Sequence, residues 1–205
     1  MTAPAQPTLY NLGSGPRKLF DLLPDARAFA GWRELRVDID PACQPDIQSS
    51  LTDLHHVIPD GAAQMIYCSH VLEHFYDHEV DAVLSQFLRI LAPGGVALMR
   101  QPDLAAVMRG LDETRLEQVL YHSSAGPIAA LDVIFGHRQS IAEGNHFMAH
   151  RTGFTENSLA HRLLEVGFEE VRTLAGPAIE FCAIAMRRET RFQPQIDAIL
   201  GFMNP

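Results

Sequence analysis

The sequence is poor in cysteine and in positive charge, and it lacks any long hydrophobic run. Its 205 residues hold only Cys43, Cys68 and Cys182, and the absence of a Cys-x-x-Cys pair argues against a zinc ribbon or a thioredoxin-like redox site. Lysine and arginine total 16 against 25 aspartates and glutamates, so a broad surface for nucleic acid or anionic lipid is not expected. No stretch approaches the roughly 18 apolar residues of a membrane span.

The N-terminal residues also lack the pattern of a secretion signal, because no basic segment precedes an apolar run. Three widely spaced cysteines are typical of a reducing compartment. A cytoplasmic, soluble protein is therefore predicted. The length and the 47% hydrophobic content favour a single domain over residues 1–205, with a frayed tail at residues 1–7.

Short apolar runs alternate with helical patterns, which is the order typical of a parallel sheet with crossover helices. The last two runs are joined only by Ala175-Gly176-Pro177, which is too short for a parallel crossover and predicts an antiparallel hairpin. The prediction is an α/β fold whose mostly parallel sheet has about seven strands. These strands are expected at 8–12, 34–39, near 47–51, 65–69, 96–100, 168–174 and 179–187.

Two helices are clear from a 3.6-residue hydrophobic period. The first is predicted over Asp77–Leu91, with Asp77 as its N-cap and Pro93-Gly94-Gly95 as its stop. The second is predicted over Glu156–Val166, capped by Thr155 and ended by Gly167.

Residues 102–154 interrupt this alternation and are called the insertion below. They contain a predicted helical stretch near Asp112–His122, an apolar stretch near Ile128–Phe135 and a histidine-rich loop. A long segment that follows a central strand of an α/β sheet is a common place for a substrate lid. We therefore expect the insertion to form a lid or substrate-binding element.

A glycine-rich turn follows the first strand, in the segment LYNLGSGPRKL. Gly13 and Gly15 have no Cβ and accept positive φ, so the backbone there can approach a ligand closely. A plain tight turn is the alternative interpretation. Asp38, at the end of the next strand, is spaced to accept hydrogen bonds from the hydroxyls of a ribose. Asp40 would point to the opposite face of a regular strand, so Asp38 is the predicted ribose ligand.

Four segments in this order resemble the class I S-adenosylmethionine-dependent methyltransferases. They are LNLGSG, VDID, SSLTDLHHVIPDGAAQMIYCSHVLEHF and FLRILAPGGVALMRQPDL, within residues 8–104, with weaker support from HRTGFTENSLAHRLLEVGF. The resemblance implies a Rossmann-like, doubly wound sheet and S-adenosylmethionine as the cofactor. The candidate cofactor-binding residues are Asn11, Gly13, Ser14, Gly15, Asp38, Ile39, Asp53, Leu54, Ser69 and His70.

The resemblance also implies roles for these positions. Gly13, Ser14 and Gly15 would line the methionine and ribose, Ile39 would lie against the adenine, and Asp53 would meet its amino group. Ser69 and His70 would face the reactive end of the cofactor. Methylation of a small or medium-sized acceptor is expected, through oxygen or nitrogen more than through carbon.

Two other functions remain open on the residues alone. A nicotinamide-dependent oxidoreductase also uses a carboxylate after a glycine turn, but Lys18 occupies the third glycine position of its motif. A methyltransferase-like domain could instead bind a nucleoside or a partner without turnover. The sequence predicts neither the acceptor nor the oligomeric state.

Histidines supply the candidate catalytic bases, namely His70, His146 and His150. His70 follows the fourth strand, whereas the other two lie at the end of the insertion. A metal site formed by His70, His74 and His78 would need one continuous helix, and Asp77 is expected to begin a new one. No metal is therefore predicted.

Overall fold

A seven-stranded β-sheet forms the centre of the molecule, and the α/β prediction is confirmed. The computed structural model describes residues 6–123, 126–177 and 179–203. Its strands are β1 Thr8–Leu12, β2 Arg33–Asp38, β3 Ile47–Gln48, β4 Ala63–Ser69, β5 Leu91–Pro102, β6 Val119–Ser123, β7 Gly126–Ala129, β8 Glu170–Ala175 and β9 Glu180–Met186.

The main sheet has the strand order β3-β2-β1-β4-β5-β9-β8. The first five of these strands pair in parallel, whereas β9 pairs antiparallel with both β5 and β8. The predicted C-terminal hairpin is thus present, with β9 inserted beside β5. Because β1, β2 and β4 are parallel neighbours, their carboxyl ends lie at one edge of the sheet.

The described residues form seven α-helices. They are α1 Leu19–Leu22, α2 Asp77–Ile90, α3 Leu104–Gly110, α4 Ala130–Phe135, α5 Arg138–Ala142, α6 Glu156–Val166 and α7 Gln193–Met203. Helix α6 matches its prediction, including the Thr155 cap, whose hydroxyl accepts from the Ser158 N–H. In α2, Asp77 is the first helical residue and not the predicted cap. The preceding Tyr76 donates its N–H to the Glu79 carboxylate.

Each face of the main sheet has its own hydrophobic core. Helices α2 and α6 cover one face, where Leu84, Phe87 and Leu163 are fully buried. Helix α7 covers the other face with Ile196 and Ile199. The sequence reasoning did not predict α7, although the spacing of its buried residues is that of an amphipathic helix.

The insertion folds around a small core of its own, formed by Val107, Ile128, Ala130 and Val133. The predicted helix at 112–122 is wrong, because residues 119–123 form strand β6 and pair with β7. The run Val-Leu-Tyr favours a strand once a partner is available. The two ends of the insertion lie next to each other, because the Leu104 N–H donates to the Phe154 carbonyl at 2.9 Å.

The third strand is shorter than predicted, with two residues in place of about five. Within the described ranges, no helix has both the length and the apolar character needed to cross a membrane.

Candidate active site

The two glycines of the turn after β1 have different tasks. Both have positive φ, +67° at Gly13 and +58° at Gly15. A Cβ at Gly13 would lie 2.4 Å from a methyl carbon of Val71, so glycine there allows the segment after β4 to pack against the turn. A Cβ at Gly15 would meet no atom within 4 Å, so the backbone at Gly15 faces open space that a ligand could occupy.

Asp38 connects the ends of β1 and β2 through its carboxylate. One oxygen accepts from the Gly15 N–H at 2.8 Å, and the other accepts from the Asp40 N–H at 2.9 Å. Each carboxylate oxygen has further acceptor capacity after these bonds. Beside it, the Ile39 side chain is exposed. A carboxylate, an apolar surface and an open glycine fit the ribose and base of a nucleoside, so the residues present suit the predicted cofactor.

Asn11 and Ser14 support the turn from within the protein. The Asn11 amide donates to Glu34 at 2.9 Å, and the same carboxylate accepts the N–H groups of Leu19 and Phe20 at the start of α1. The side chain of Asn11 is therefore committed to fixing α1. The Ser14 hydroxyl donates to the Gly15 carbonyl at 2.9 Å.

The neighbouring residues Asp53 and Leu54 differ in their exposure to solvent. Leu54 is fully buried in the core on the α2 side of the sheet. Asp53 is exposed, and its carboxylate lies 2.9 Å from Nδ1 of His55. Of these two residues, only Asp53 has a side chain that a ligand in solution could reach.

Ser69 and His70 end β4 at the same edge as the glycine turn, as the contact between Gly13 and Val71 shows. His70 has φ +54°, a left-handed conformation that is uncommon for a residue with a side chain. Its N–H donates to the Arg100 carbonyl at 2.9 Å. Backbone strain of this kind is concentrated at functional sites.

The His70 ring lies between two buried carboxylates. Its Nε2 is 3.1 Å from Glu180, and its Nδ1 is 3.5 Å from Glu73. Arg100 also donates to Glu180. Burial disfavours the charged ring, but the contacts with Glu180 and Glu73 outweigh it and raise the pKa of His70 to about 9. The ring is therefore charged at neutral pH and is not a ready proton acceptor.

Glu180 is the residue of this cluster that the sequence reasoning missed. It is 7% exposed and begins the otherwise apolar strand β9. Burial raises the pKa of a carboxyl group, but hydrogen bonds from His70 and Arg100 hold the pKa of Glu180 below its usual value. A lone glutamate at the start of the apolar run EFCAIAM was the available signal.

His146 and His150 lie in different surroundings at the end of the insertion. His146 is exposed. His150 is partly buried, its Nδ1 lies 2.8 Å from the Val133 carbonyl, and its ring centre lies 5.0 Å from that of His74. Burial lowers the pKa of His150. The structure thus brings His70 and His150 close enough to Glu73 for its charge to act on both rings.

Residues 7–173 match the family model described as a methyltransferase domain. That match covers well over half of the chain. A comparison with curated proteins finds no match.

Among solved structures, the fold is similar to that of several methyltransferases. A SAM-dependent methyltransferase from Archaeoglobus fulgidus is 12% identical with a TM-score of 0.57, over 88% of this chain and 86% of that one. An O-methyltransferase family protein from Burkholderia thailandensis is 17% identical with a TM-score of 0.56, over 88% and 51%. Human N-acetylserotonin methyltransferase in complex with SAM is 17% identical with a TM-score of 0.54, over 88% and 47%. The chain spans about half the length of the last two, and these likenesses concern the fold alone.

Proposed function

Because the chain belongs to the methyltransferase-domain family, we propose that it uses S-adenosylmethionine to methylate a small or medium-sized acceptor on oxygen or nitrogen. The observation that carries the site assignment is the Asp38 carboxylate, which bonds the Gly15 N–H at the joint edge of β1 and β2. The acceptor assignment depends on the polar cluster formed by His70, Arg100 and Glu180.

The cofactor would be held by groups of different chemistry. Asp38 would accept hydrogen bonds from the ribose hydroxyls, because its oxygens have acceptor capacity left. Ile39 would lie against the adenine and Asp53 would accept from its amino group. The open backbone at Gly15 and the side chains of Ser69 and His70 would line the rest of the cofactor. When bound, the cofactor supplies a methyl group on a positively charged sulfur.

Positioning is the main task of the protein in this reaction. The acceptor atom must lie about 3–3.5 Å from the methyl carbon and opposite the sulfur. Both ring nitrogens of His70 face carboxylates, so we assign to His70 the role of orienting the methyl-bearing end of the cofactor. The buried charges of Glu180 and Arg100 would bind an acceptor that carries an O–H or N–H group.

A base is required only for an acceptor that begins protonated. His146 and His150 are the proposed candidates from the insertion. His150 directs Nδ1 at a carbonyl, so only its Nε2 could accept a proton.

We also propose that the insertion acts as a lid within a single domain of residues 1–205. The protein is further proposed to work in the cytoplasm and without nucleic acid as a partner.

The experiment compares Glu180→Gln with the wild type. Binding of S-adenosylhomocysteine is measured by calorimetry, and transfer of a labelled methyl group is measured with a panel of hydroxyl, amine and carbon acceptors. We expect methylation of a hydroxyl or amine, with kcat at least about 10-fold lower in Glu180→Gln and the cofactor Kd unchanged, as for loss of a positioning charge.

Glu170→Gln is the matched control, because Glu170 lies in the neighbouring strand and pairs with Arg172 at the surface. We expect wild-type kcat from this control. Methylation of carbon acceptors alone would contradict the proposed acceptor class, and a wild-type kcat in Glu180→Gln would remove the polar cluster from the reaction.

A further inference from the structure

Three side chains near His70 form a cluster, of which only His150 has been given a candidate role in the methyl transfer. Glu73, His74 and His150 each offer one ligand atom, and these atoms lie within 4.8 Å of one another. Glu73 and His74 follow β4, whereas His150 comes from the end of the insertion. The cluster therefore joins two segments that are distant in the sequence.

The Glu73 carboxylate is buried without a hydrogen bond from any described residue. The residue is 1% exposed, and both of its carboxylate oxygens are without a hydrogen-bond partner within the described part of the chain. The nearest cation is His70, whose Nδ1 is 3.5 Å from one oxygen. A buried carboxylate normally has hydrogen bonds or a bound cation, because removing its hydration is costly. The second oxygen of Glu73 has neither among the described residues.

Both imidazoles are oriented as metal-binding histidines are. Nδ1 of His74 lies 3.1 Å from the Ala149 carbonyl, and Nδ1 of His150 lies 2.8 Å from the Val133 carbonyl. A carbonyl oxygen only accepts, so each Nδ1 carries the proton. In the neutral ring the lone pair is then on Nε2. Metal-binding histidines usually have their other ring nitrogen fixed in this way.

The backbone around the cluster is held in place before any ion binds. The N–H groups of Arg151 and Thr152 donate to the Glu73 carbonyl at 2.8 and 3.2 Å. These bonds keep the segment after His150 against the turn that carries Glu73 and His74. A site preorganised in this way loses little conformational entropy when a ligand binds.

We propose that Glu73, His74 and His150 bind one zinc ion. Two imidazoles and one carboxylate form a donor set that zinc accepts, and they leave a fourth position open. The ion would neutralise Glu73 and connect the insertion to the turn after β4. It would also occupy Nε2 of His150 and remove this histidine from the candidate bases. This proposal does not depend on which acceptor is methylated.

Another group of possible ligands, Asp53, His55 and His56, provides an internal control. All three of these residues are exposed, and the centres of the two rings lie 3.7 Å apart with their planes tilted by 46°. Its three ligand atoms lie on exposed side chains, so we propose no metal site there. Its histidines can be replaced without touching the buried cluster.

The experiment uses untagged full-length protein that has been treated with a chelator and then titrated with zinc or cobalt(II). We expect about one equivalent of zinc, a rise in Tm with zinc, and visible cobalt absorption typical of tetrahedral coordination. His150→Ala and His74→Ala should each weaken zinc binding at least about 10-fold, as expected for the loss of a ligand. The double variant His55→Ala/His56→Ala should bind zinc like the wild type.

The proposal is overturned if the wild type binds no zinc, if His150→Ala binds it with wild-type affinity, or if binding disappears in the double variant. Circular dichroism checks that each variant is folded. His150→Asn is the second variant at this position, because its amide can still donate to the Val133 carbonyl while the metal ligand is lost. Unchanged zinc affinity in this variant would equally reject the site.

Discussion

At the scale of single residues, Asp38 combines structural hydrogen bonds with a proposed binding role. Its carboxylate fixes the end of β1 relative to the end of β2 through the Gly15 N–H. The same oxygens would accept from the cofactor. A substitution must therefore preserve shape if it is to report on binding alone.

Asp38→Asn keeps the size of the side chain and removes its charge, but its amide nitrogen cannot accept, so the bond from either the Gly15 or the Asp40 N–H is lost as well. We expect the affinity for S-adenosylhomocysteine to fall by about 1–3 kcal/mol, the range for hydrogen bonds to a charged group. Calorimetry measures this loss. Asp197→Asn on the exposed side of α7 is the control and should bind normally. Equal affinity in the Asp38 variant would exclude Asp38 from the binding site.

The sequence predicted residues whose role depends on a local motif, and it missed residues whose role depends on strand register. Asp38 and the glycine turn lie in one short segment of the chain. Glu180 lies 110 positions from His70, and it reaches this histidine only because β9 pairs antiparallel with β5, with Arg100 opposite Cys182. No periodicity in the sequence gives that register.

At the scale of elements, the turn after β1 depends on two glycines for different reasons. The Cβ position of Gly13 is filled by Val71, whereas that of Gly15 is open. Identical substitutions at the two positions should therefore have different effects.

Gly13→Ala should lower the free energy of unfolding by about 2–4 kcal/mol, because overpacking adds to the cost of a positive φ. Gly15→Ala has the strained φ alone and should cost about 1 kcal/mol. Urea denaturation measures both values. The combination Gly13→Ala/Val71→Ala should recover part of the loss, and equal destabilisation by the two single changes would contradict this account of the turn.

The elements that the sequence predicted well are those whose hydrophobic pattern is complete within the segment. Helices α2 and α6 have a full apolar stripe and clear end signals. The sequence predicts a helix at β6, because the hydrogen bonds that make this segment a strand come from its partner β7 and leave no mark in its own residues. Its own residues are mostly exposed and show no buried face.

At the scale of the whole molecule, helix α7 contributes to the core of one face of the sheet and supplies none of the proposed site residues. Most of the proposed cofactor-binding residues lie at the carboxyl edge of β1, β2 and β4. Helix α7 covers the face opposite α2 and α6, and its Ile199 is fully buried. Stability and binding should therefore be separable at α7.

Ile199→Ala should lower the free energy of unfolding by about 2–5 kcal/mol, as for other large-to-small changes in a core. The affinity for S-adenosylhomocysteine below the unfolding transition should stay at the wild-type value. Urea denaturation and calorimetry measure the two quantities. A clear loss of affinity in the folded variant would show that α7 shapes the cofactor site.

The position of β9 in the sheet has a consequence for biosynthesis. This strand is buried along its whole length between β5 and β8, yet it is translated after both of them. While the ribosome has yet to release residues 180–186, the hydrogen-bonding groups along one side of β5 have no partner, and such an edge attracts other chains. A nascent chain paused before this point therefore exposes a long apolar strand edge that is open to aggregation.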